Sequence, residues 1–576
     1  MKRAELTTRV ADWRGAPALF INDQPDTGLM LYHNNPERGH EEIADFARAG
    51  INLLTVGFSI GEMLQPDGTI DTSALDARMN AILKANPKAL VLGRLLLYPP
   101  TWWIEKNPGE AMVHYDPYLD ANVESEYRSV SFASQKWRSE IASAMRIFIR
   151  YCEETYGAHI LGYHLGGGEC GEWAYAWRHY TQSDYSVPQR DAFRRWLGDE
   201  SAEIPRDWRR KPDESGEMDP VRDALLIKYM EFHSYVVADA ILHFARHAKE
   251  ELLSSGCQKV IAVFYGYHAT PPGNPSAFFN SGHHALKTVL DSMDVDIFCA
   301  PYSYEGREAG GAYYSQFPAA SAREHGKLFY SEDDTVTHVV PPHEHRYHCP
   351  DLWTTVNVLR RNALGAISDG GTEWFMDWCG QNWYRDADLM ESISALQGFA
   401  REQLVRDRAS VAEIAVFGSA QTVARWKHDP ELINSRSLDR MKELWKIGTP
   451  LDFFLMDDFA AVHSRYRLIV LLDVPGEHLP SGDHLIFSHG FPFDHDALRR
   501  SALAVGVHLY SNAGNQVLAG RDWIAIHAGS DGDHVVNLPR ASTVREAFSG
   551  RLVAQNASKF SSTLKTGETA TWILSS

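Results

Sequence analysis

Basic residues are the scarce charge in this 576-residue chain: 56 Lys and Arg face 75 Asp and Glu, a formal net charge of −19. That balance disfavours nucleic acid or an anionic membrane as partner and fits a neutral or cationic ligand better. Long apolar runs are missing as well. No stretch of 18 or more apolar residues occurs, and M-K-R-A-E-L-T-T-R-V-A-D-W at residues 1–13 lacks the apolar core of a signal peptide, so a cytoplasmic protein is expected. Cysteine is sparse, at Cys152, Cys170, Cys257, Cys299, Cys349 and Cys379, with no C-x-x-C and no Cys/His pair at metal-ligand spacing. A secreted disulfide scaffold and a zinc site of that kind are therefore not expected. Low-complexity tracts are absent too.

Aromatic residues, by contrast, are plentiful: 16 Trp, 24 Tyr and 25 Phe, rings that pack cores or stack on sugars. The length predicts two to four domains. A hairpin at 18–25, turning at Asn22-Asp23, precedes a regular alternation. Strand candidates fall at 28–33, 51–58, 89–97, 159–165, 259–266, 295–301, 326–332 and 365–369. Helical patterns lie between most of them, at 41–49, 73–86, 135–155, 221–255, 284–292, 315–325 and 351–363. In the third, Ile141, Met145, Phe148 and Cys152 mark one helical face.

This alternation predicts an α/β protein with a (β/α)8 TIM barrel over roughly residues 25–400. A doubly wound open sheet is the alternative. It would want a phosphate-type glycine loop after its first strand, and G-L-M-L-Y-H-N-N-P (28–36) is not one. In a barrel the site lies at the C-terminal ends of the strands, so each strand end can be read for what it delivers. The third ends in Tyr98–Trp103, the fifth in Tyr265–His268, the sixth in Pro301–Glu305, the seventh in Tyr330–Asp334 and the eighth in Asp369–Trp378. The fourth, I-L-G-Y-H-L-G-G-G-E-C-G-E-W (160–173), is the most pointed: an apolar run breaks into glycines and then presents Glu169 and Glu172.

Paired carboxyls break glycosidic bonds, one protonating the leaving oxygen while the other attacks the anomeric carbon or activates water. A fourth-strand acid facing Glu332 of the seventh strand supplies such a pair. The plainer readings stand beside it: E-D-D at 332–334 as a solvated turn, one of Glu169 and Glu172 as a helix cap, Trp102, Trp103, Trp374 and Trp378 as core, and His164 as a core histidine rather than a sugar contact.

At these residues the chain resembles the clan A retaining glycosidases, specifically the family 42 β-galactosidases. Gly162–Glu169 is similar to the family's G-W-x-x-x-N-E, with one extra residue and Gly168 where its Asn stands. More distant relatives end G-x-x-x-E-W, which matches Gly168–Trp173 and selects Glu172 over Glu169 as acid/base. L-F-Y-S-E-D-D-T (328–335) is similar to the nucleophile strand and assigns Glu332 that role. The resemblance further implies Tyr304 as support for the nucleophile and Trp374 as floor of the sugar subsite. Trp103, Trp378 and His164, read from their places on the strands and strand ends, are further candidate sugar contacts. D-Y-S-V-P-Q-R-D-A-F-R-R-W-L (184–197) resembles the insertion after strand four, but without the family's zinc-binding cysteines, so no metal is carried over.

Past the barrel, the segments at 411–417, 441–455 and 466–473 read as a small α/β domain, which resembles the family's flavodoxin-like trimerisation domain and implies a homo-oligomer, a trimer by that resemblance. No phosphate-binding loop accompanies it, so no cofactor is expected. From Asp522 onward, short runs separated by Gly, Asp and Asn have the spacing of a small C-terminal β-sandwich. The expected domains are 1–408, 409–516 and 517–576. The functional expectation is a retaining exo-β-glycosidase acting on short β-galactosides, with β-mannosides and other β-glycosides as competitors. A non-catalytic oligosaccharide-binding protein and a barrel isomerase or lyase are the readings from other classes.

Overall fold

The computed structural model of the chain describes residues 6–116, 119–123, 129–175, 182–206, 218–267, 281–342, 347–419, 425, 439–472, 485–488, 495–512 and 514–575. Eight parallel strands close into a barrel: β1 (Met30–His33), β2 (Leu53–Ser59), β3 (Leu90–Leu96), β4 (Ile160–Gly166), β5 (Val260–Phe264), β6 (Ile297–Pro301), β7 (Leu328–Asp333) and β8 (Thr372–Asp377). Closure excludes the open doubly wound sheet. The strands read as near-continuous apolar runs because both faces are covered, side chains filling the interior and helices packing outside.

The helices fall where 3.6-residue periodicity puts them. Gln135–Tyr156 starts at Ser134, whose hydroxyl accepts the Trp137 N–H, and buries the stripe Ile141, Met145, Phe148 and Cys152. Each such apolar side chain contributes about 1.5–3 kcal/mol by leaving water. One strand expectation is corrected. Residues 365–369 close the helix Leu352–Ser368, and the eighth strand lies just beyond, at Thr372–Asp377. The apolar run G-A-I belongs to a helix end, whereas the true strand, T-E-W-F-M-D, carries two acids that a search for apolar runs passes over.

The N-terminal hairpin gains a third strand, Thr8–Trp13 beside Ala16–Ile21 and Gln24–Asp26. Thr8 Oγ1 donates to the Leu161 carbonyl (2.6 Å) and accepts the Val260 N–H (3.0 Å), so this sheet seals the barrel's lower end between β4 and β5. An insertion after β3 and β4 forms a small antiparallel sheet of Gln182–Ser183, His114–Asp116 and Ala121–Val123, followed by the helix Val187–Leu197.

Beyond the barrel, Leu451–Leu455, Ile414–Gly418, Leu468–Leu472 and Leu485–Ser488 form, in that spatial order, a parallel sheet. The tail forms a five-stranded antiparallel sheet in which Gln516–Gly520, Trp523–His527, Thr569–Ser575, Gly532–Glu546 and Leu552–Leu564 are successive neighbours. Both are keyed to the barrel. Arg323 donates to Asp452 (2.6 Å), Tyr313 N–H to Gln516 Oε1 (2.8 Å), and Gly310 N–H to His527 Nε2 (2.9 Å). Among the described residues no helix is long and apolar enough to cross a membrane.

Candidate active site

The loop leaving β4 decides which acid reaches the barrel mouth. It turns back at once: Trp173 N–H donates to the Gly167 carbonyl (2.6 Å), Glu169 N–H to the Ala174 carbonyl (2.9 Å) and Glu172 N–H to the Glu169 carbonyl (3.0 Å). Two glycines are obligatory. Gly168 has φ +66° with the Ala174 carbonyl 2.5 Å from where a Cβ would stand, and Gly171 has φ +72° with Leu96 Cδ2 at 2.4 Å. The Asn of the family pattern therefore has no room at 168. Glu169 is turned into the fold at 5% exposure, while Glu172 is half-buried and receives the Tyr267 hydroxyl at 2.5 Å.

Glu332, on β7, is 4% exposed and lies 3.3 Å from Trp374 Nε1 of β8, its register partner. The following acids are no solvated turn. Asp333 accepts from Asn362 Nδ2 (2.9 Å), Asp334 from Arg307 Nη1 (2.5 Å), and both are buried.

Both glutamates act electrostatically on a residue that sequence reasoning passed over, Arg94 on β3. It donates to the Tyr32 hydroxyl (2.8 Å) and the Cys170 carbonyl (2.6 Å) and lies over the Phe264 ring at 4.9 Å. Burial works against its charge, yet Tyr32, Glu172 and Glu332 around it carry its pKa upward. Burial likewise lifts the Tyr32 and Tyr267 hydroxyls, and the same two carboxylates add to each. Glu172 from the loop after β4 and Glu332 from β7 thus act on one set of neighbours drawn from β1, β3 and the loop after β5. The available signal was a lone Arg inside an apolar strand, since a buried charge there must have a partner.

His283 supports this arrangement from behind. Its Nε2 lies 2.8 Å from the Glu172 carbonyl and its Nδ1 accepts the Gly266 N–H at 3.2 Å, so Nε2 carries the hydrogen. Burial holds its pKa down at about 3, which keeps the ring neutral.

The remaining candidates separate. Trp374 is fully buried among Tyr32, His164, Phe264 and Tyr330, a floor beneath Glu332. His164 lies in that same buried layer, 4.7 Å from Phe264 between ring centres and held neutral by burial. Tyr304 is 44% exposed at the rim, and Trp378 is half-buried on the loop after β8, its carbonyl accepting from Asn34 Nδ2 (2.8 Å). Trp103 is elsewhere: it is 2% exposed and donates to Glu140 (2.6 Å) on the helix outside the barrel. His268 lies outside the described residues.

One His/carboxylate cluster at metal-ligand spacing occurs among the described residues: His33, Glu42 and Asp377, all buried, with ligand atoms within 4.8 Å of one another. It sits behind β1 and β8. His33 Nδ1 accepts the Asn35 N–H (3.1 Å), so the hydrogen is on Nε2, which faces Glu42 (3.4 Å) and Asp377 (3.8 Å). Burial together with Asp377 raises Glu42 well above the usual carboxyl range.

The fold is thus a closed (β/α)8 barrel with carboxylates, a buried guanidinium and aromatics gathered at its mouth. A family model described as Beta-galactosidase, glycoside hydrolase family 42, matches residues 32–206. Three solved structures share the fold. The β-galactosidase of Bacillus circulans sp. alkalophilus is 10% identical, with 95% of this chain and 99% of that one covered at a TM-score of 0.58. Gan42B, a GH42 β-galactosidase from G., is 11% identical, with 99% of each chain covered at 0.60. The cold-adapted β-galactosidase of Rahnella sp. R3 is 10% identical, with 99% and 100% covered at 0.54. No curated protein matches the chain in sequence. The chain thus resembles the family 42 β-galactosidases in sequence over its first four barrel strands and in fold over nearly its whole length.

Proposed function

We propose that this protein is a retaining exo-β-glycosidase acting on short β-galactosides, with Glu332 as nucleophile and Glu172 as acid/base. The observation that carries the reading is the convergence of these two carboxylates on Arg94, Tyr32 and Tyr267. In this mechanism Glu332 attacks the anomeric carbon as Glu172 protonates the leaving oxygen, and Glu172 then takes the proton of the water that releases the sugar. Arg94 steadies the nucleophile's negative charge, and the Tyr267 hydroxyl orients Glu172 through its hydrogen bond. The domains divide at 1–408, 409–516 and 517–576, the assembly is a homo-oligomer, and the location is cytoplasmic.

A panel of nitrophenyl glycosides tests the activity. β-Galactoside turnover is expected, and Glu332→Ala should abolish it, with azide restoring turnover to give the α-glycosyl azide. Fastest turnover of a β-mannoside would reassign the sugar, and full activity in Glu332→Ala would remove that residue from the reaction. The lack of space for Asn at 168 favours one second reading, a barrel that binds oligosaccharides without cleaving them. Binding with no turnover on any sugar would establish it.

A further inference from the structure

The loop after β6 is held with unusual thoroughness by buried arginines. Arg307, 2% exposed, donates from Nε to the Ser303 carbonyl (2.8 Å), from Nη2 to the Tyr302 carbonyl (3.0 Å) and from Nη1 to Asp334 Oδ1 (2.5 Å). Its guanidinium carbon lies 4.0 Å from the centre of the Tyr302 ring and 4.3 Å from that of Tyr304, so the cation is in contact with both. Arg361, fully buried on the helix after β7, binds the outside of the same loop through the carbonyls of Arg307 (3.0 Å) and Glu308 (2.9 Å).

We propose that Arg307 is a positioning residue, which fixes Tyr304 at the rim of the site by tying its loop to Asp334, two residues beyond Glu332. Three observations converge on this. A buried ion pair is a poor device for stability, because desolvating both charges offsets most of their attraction; what it provides is a fixed geometry. Tyr304 is the one member of the stack that is exposed, at 44%, and an exposed side chain on a loop is free to change rotamer unless something holds it. Tyr304 also neighbours Tyr267, the residue that donates to Glu172. Arg307 thereby connects the strand end carrying Glu332 to the aromatic wall beside Glu172. This inference rests on the glycosidase reading.

A double-mutant cycle between Arg307→Lys and Tyr304→Ala tests it. Lys keeps the charge but loses the planar fork that binds two carbonyls and a carboxylate together. Each single change is expected to lower kcat/KM on the preferred nitrophenyl glycoside roughly 10- to 100-fold, mainly by raising KM. Acting through the same ring, the double variant should be no worse than the poorer single variant. Multiplying losses would overturn the inference while leaving the glycosidase reading intact. Should Arg307→Lys fail to fold, Asp334→Asn takes its place in the same cycle with the same criterion. If the wild type cleaves no glycoside, the glycosidase reading falls by itself, and the cycle is read on calorimetric affinity for a non-hydrolysable thio-β-galactoside: equal weakening in single and double variants supports the inference, and additive weakening or no binding by the wild type overturns it.

Discussion

Glu169 and Glu172 lie three positions apart on one loop, and backbone geometry gives them different surroundings. Glu169 is in an antiparallel bridge with Ala174 and turned inward, whereas Glu172 takes the Tyr267 hydroxyl and shares Arg94 with Glu332. On substrates whose leaving groups need protonation, Glu172→Gln is expected to lower kcat about 10²–10⁴-fold, the usual range for a lost general acid. It should leave activated aryl glycosides much less affected. Glu169→Gln should show no such dependence on the leaving group. Steady-state rates across a leaving-group series decide this, and matching profiles for the two variants would sink the assignment.

The β4 loop works as a unit, since the glycines that let it turn also set where Glu172 stands. A methyl group at 171 would need a left-handed backbone and would press on Leu96 and on Arg94 Nη2, 3.1 Å away. Gly198, at the end of the helix Val187–Leu197, has φ +74° with nothing within 4 Å of its missing Cβ, so it isolates the backbone cost. Gly198→Ala should cost about 1 kcal/mol, the left-handed penalty for an L-residue, with unchanged turnover. Gly171→Ala should cost about 1–3 kcal/mol more through overpacking and should slow turnover at least roughly tenfold. Urea unfolding and initial rates on both variants provide the comparison; equal costs would mean that the packing at 171 is irrelevant.

At the scale of the whole molecule, buried ionisable groups set the pH range of stability. The folded pKa of His283 is lowered to about 3, and burial also holds His164 and His527 well below the ordinary histidine value. Unfolding lets these rings take up protons near pH 6.5, so their contribution is present above that pH and is lost as pH falls toward 3. Asp369, at the junction of barrel and C-terminal sheets, has the opposite sense. Burial first, then Asp452, raises it from 3.8 to about 8, so its contribution is complete below pH 3.8 and is lost as pH rises through 8. Thermal midpoints should therefore decline on both sides, and Asp369→Asn should flatten the decline between pH 6 and 9. A variant with the wild-type alkaline slope would exclude Asp369 as its source. The proposed homo-oligomer is checked by light scattering on the purified chain, where a strict monomer would contradict it.

Local pattern alone determined much of this protein. The period-3.6 stripe of Gln135–Tyr156, seven of the eight barrel strands, and the presentation of acids after β4 and β7 follow from neighbouring residues, because a strand or helix needs only its own apolar positions to be recognised. The eighth strand was missed because Glu373 and Asp377 interrupt its apolar pattern although both are buried, a tolerance that depends on the layers around them. Tertiary structure alone decided which residues meet: Arg94, Tyr267 and His283 reach Glu172 from β3 and from beyond β5, separated from it by about 80 to 110 positions in the chain. Sequence spacing carries no information about such contacts, since closure of the barrel, not chain proximity, brings the strand ends into one mouth.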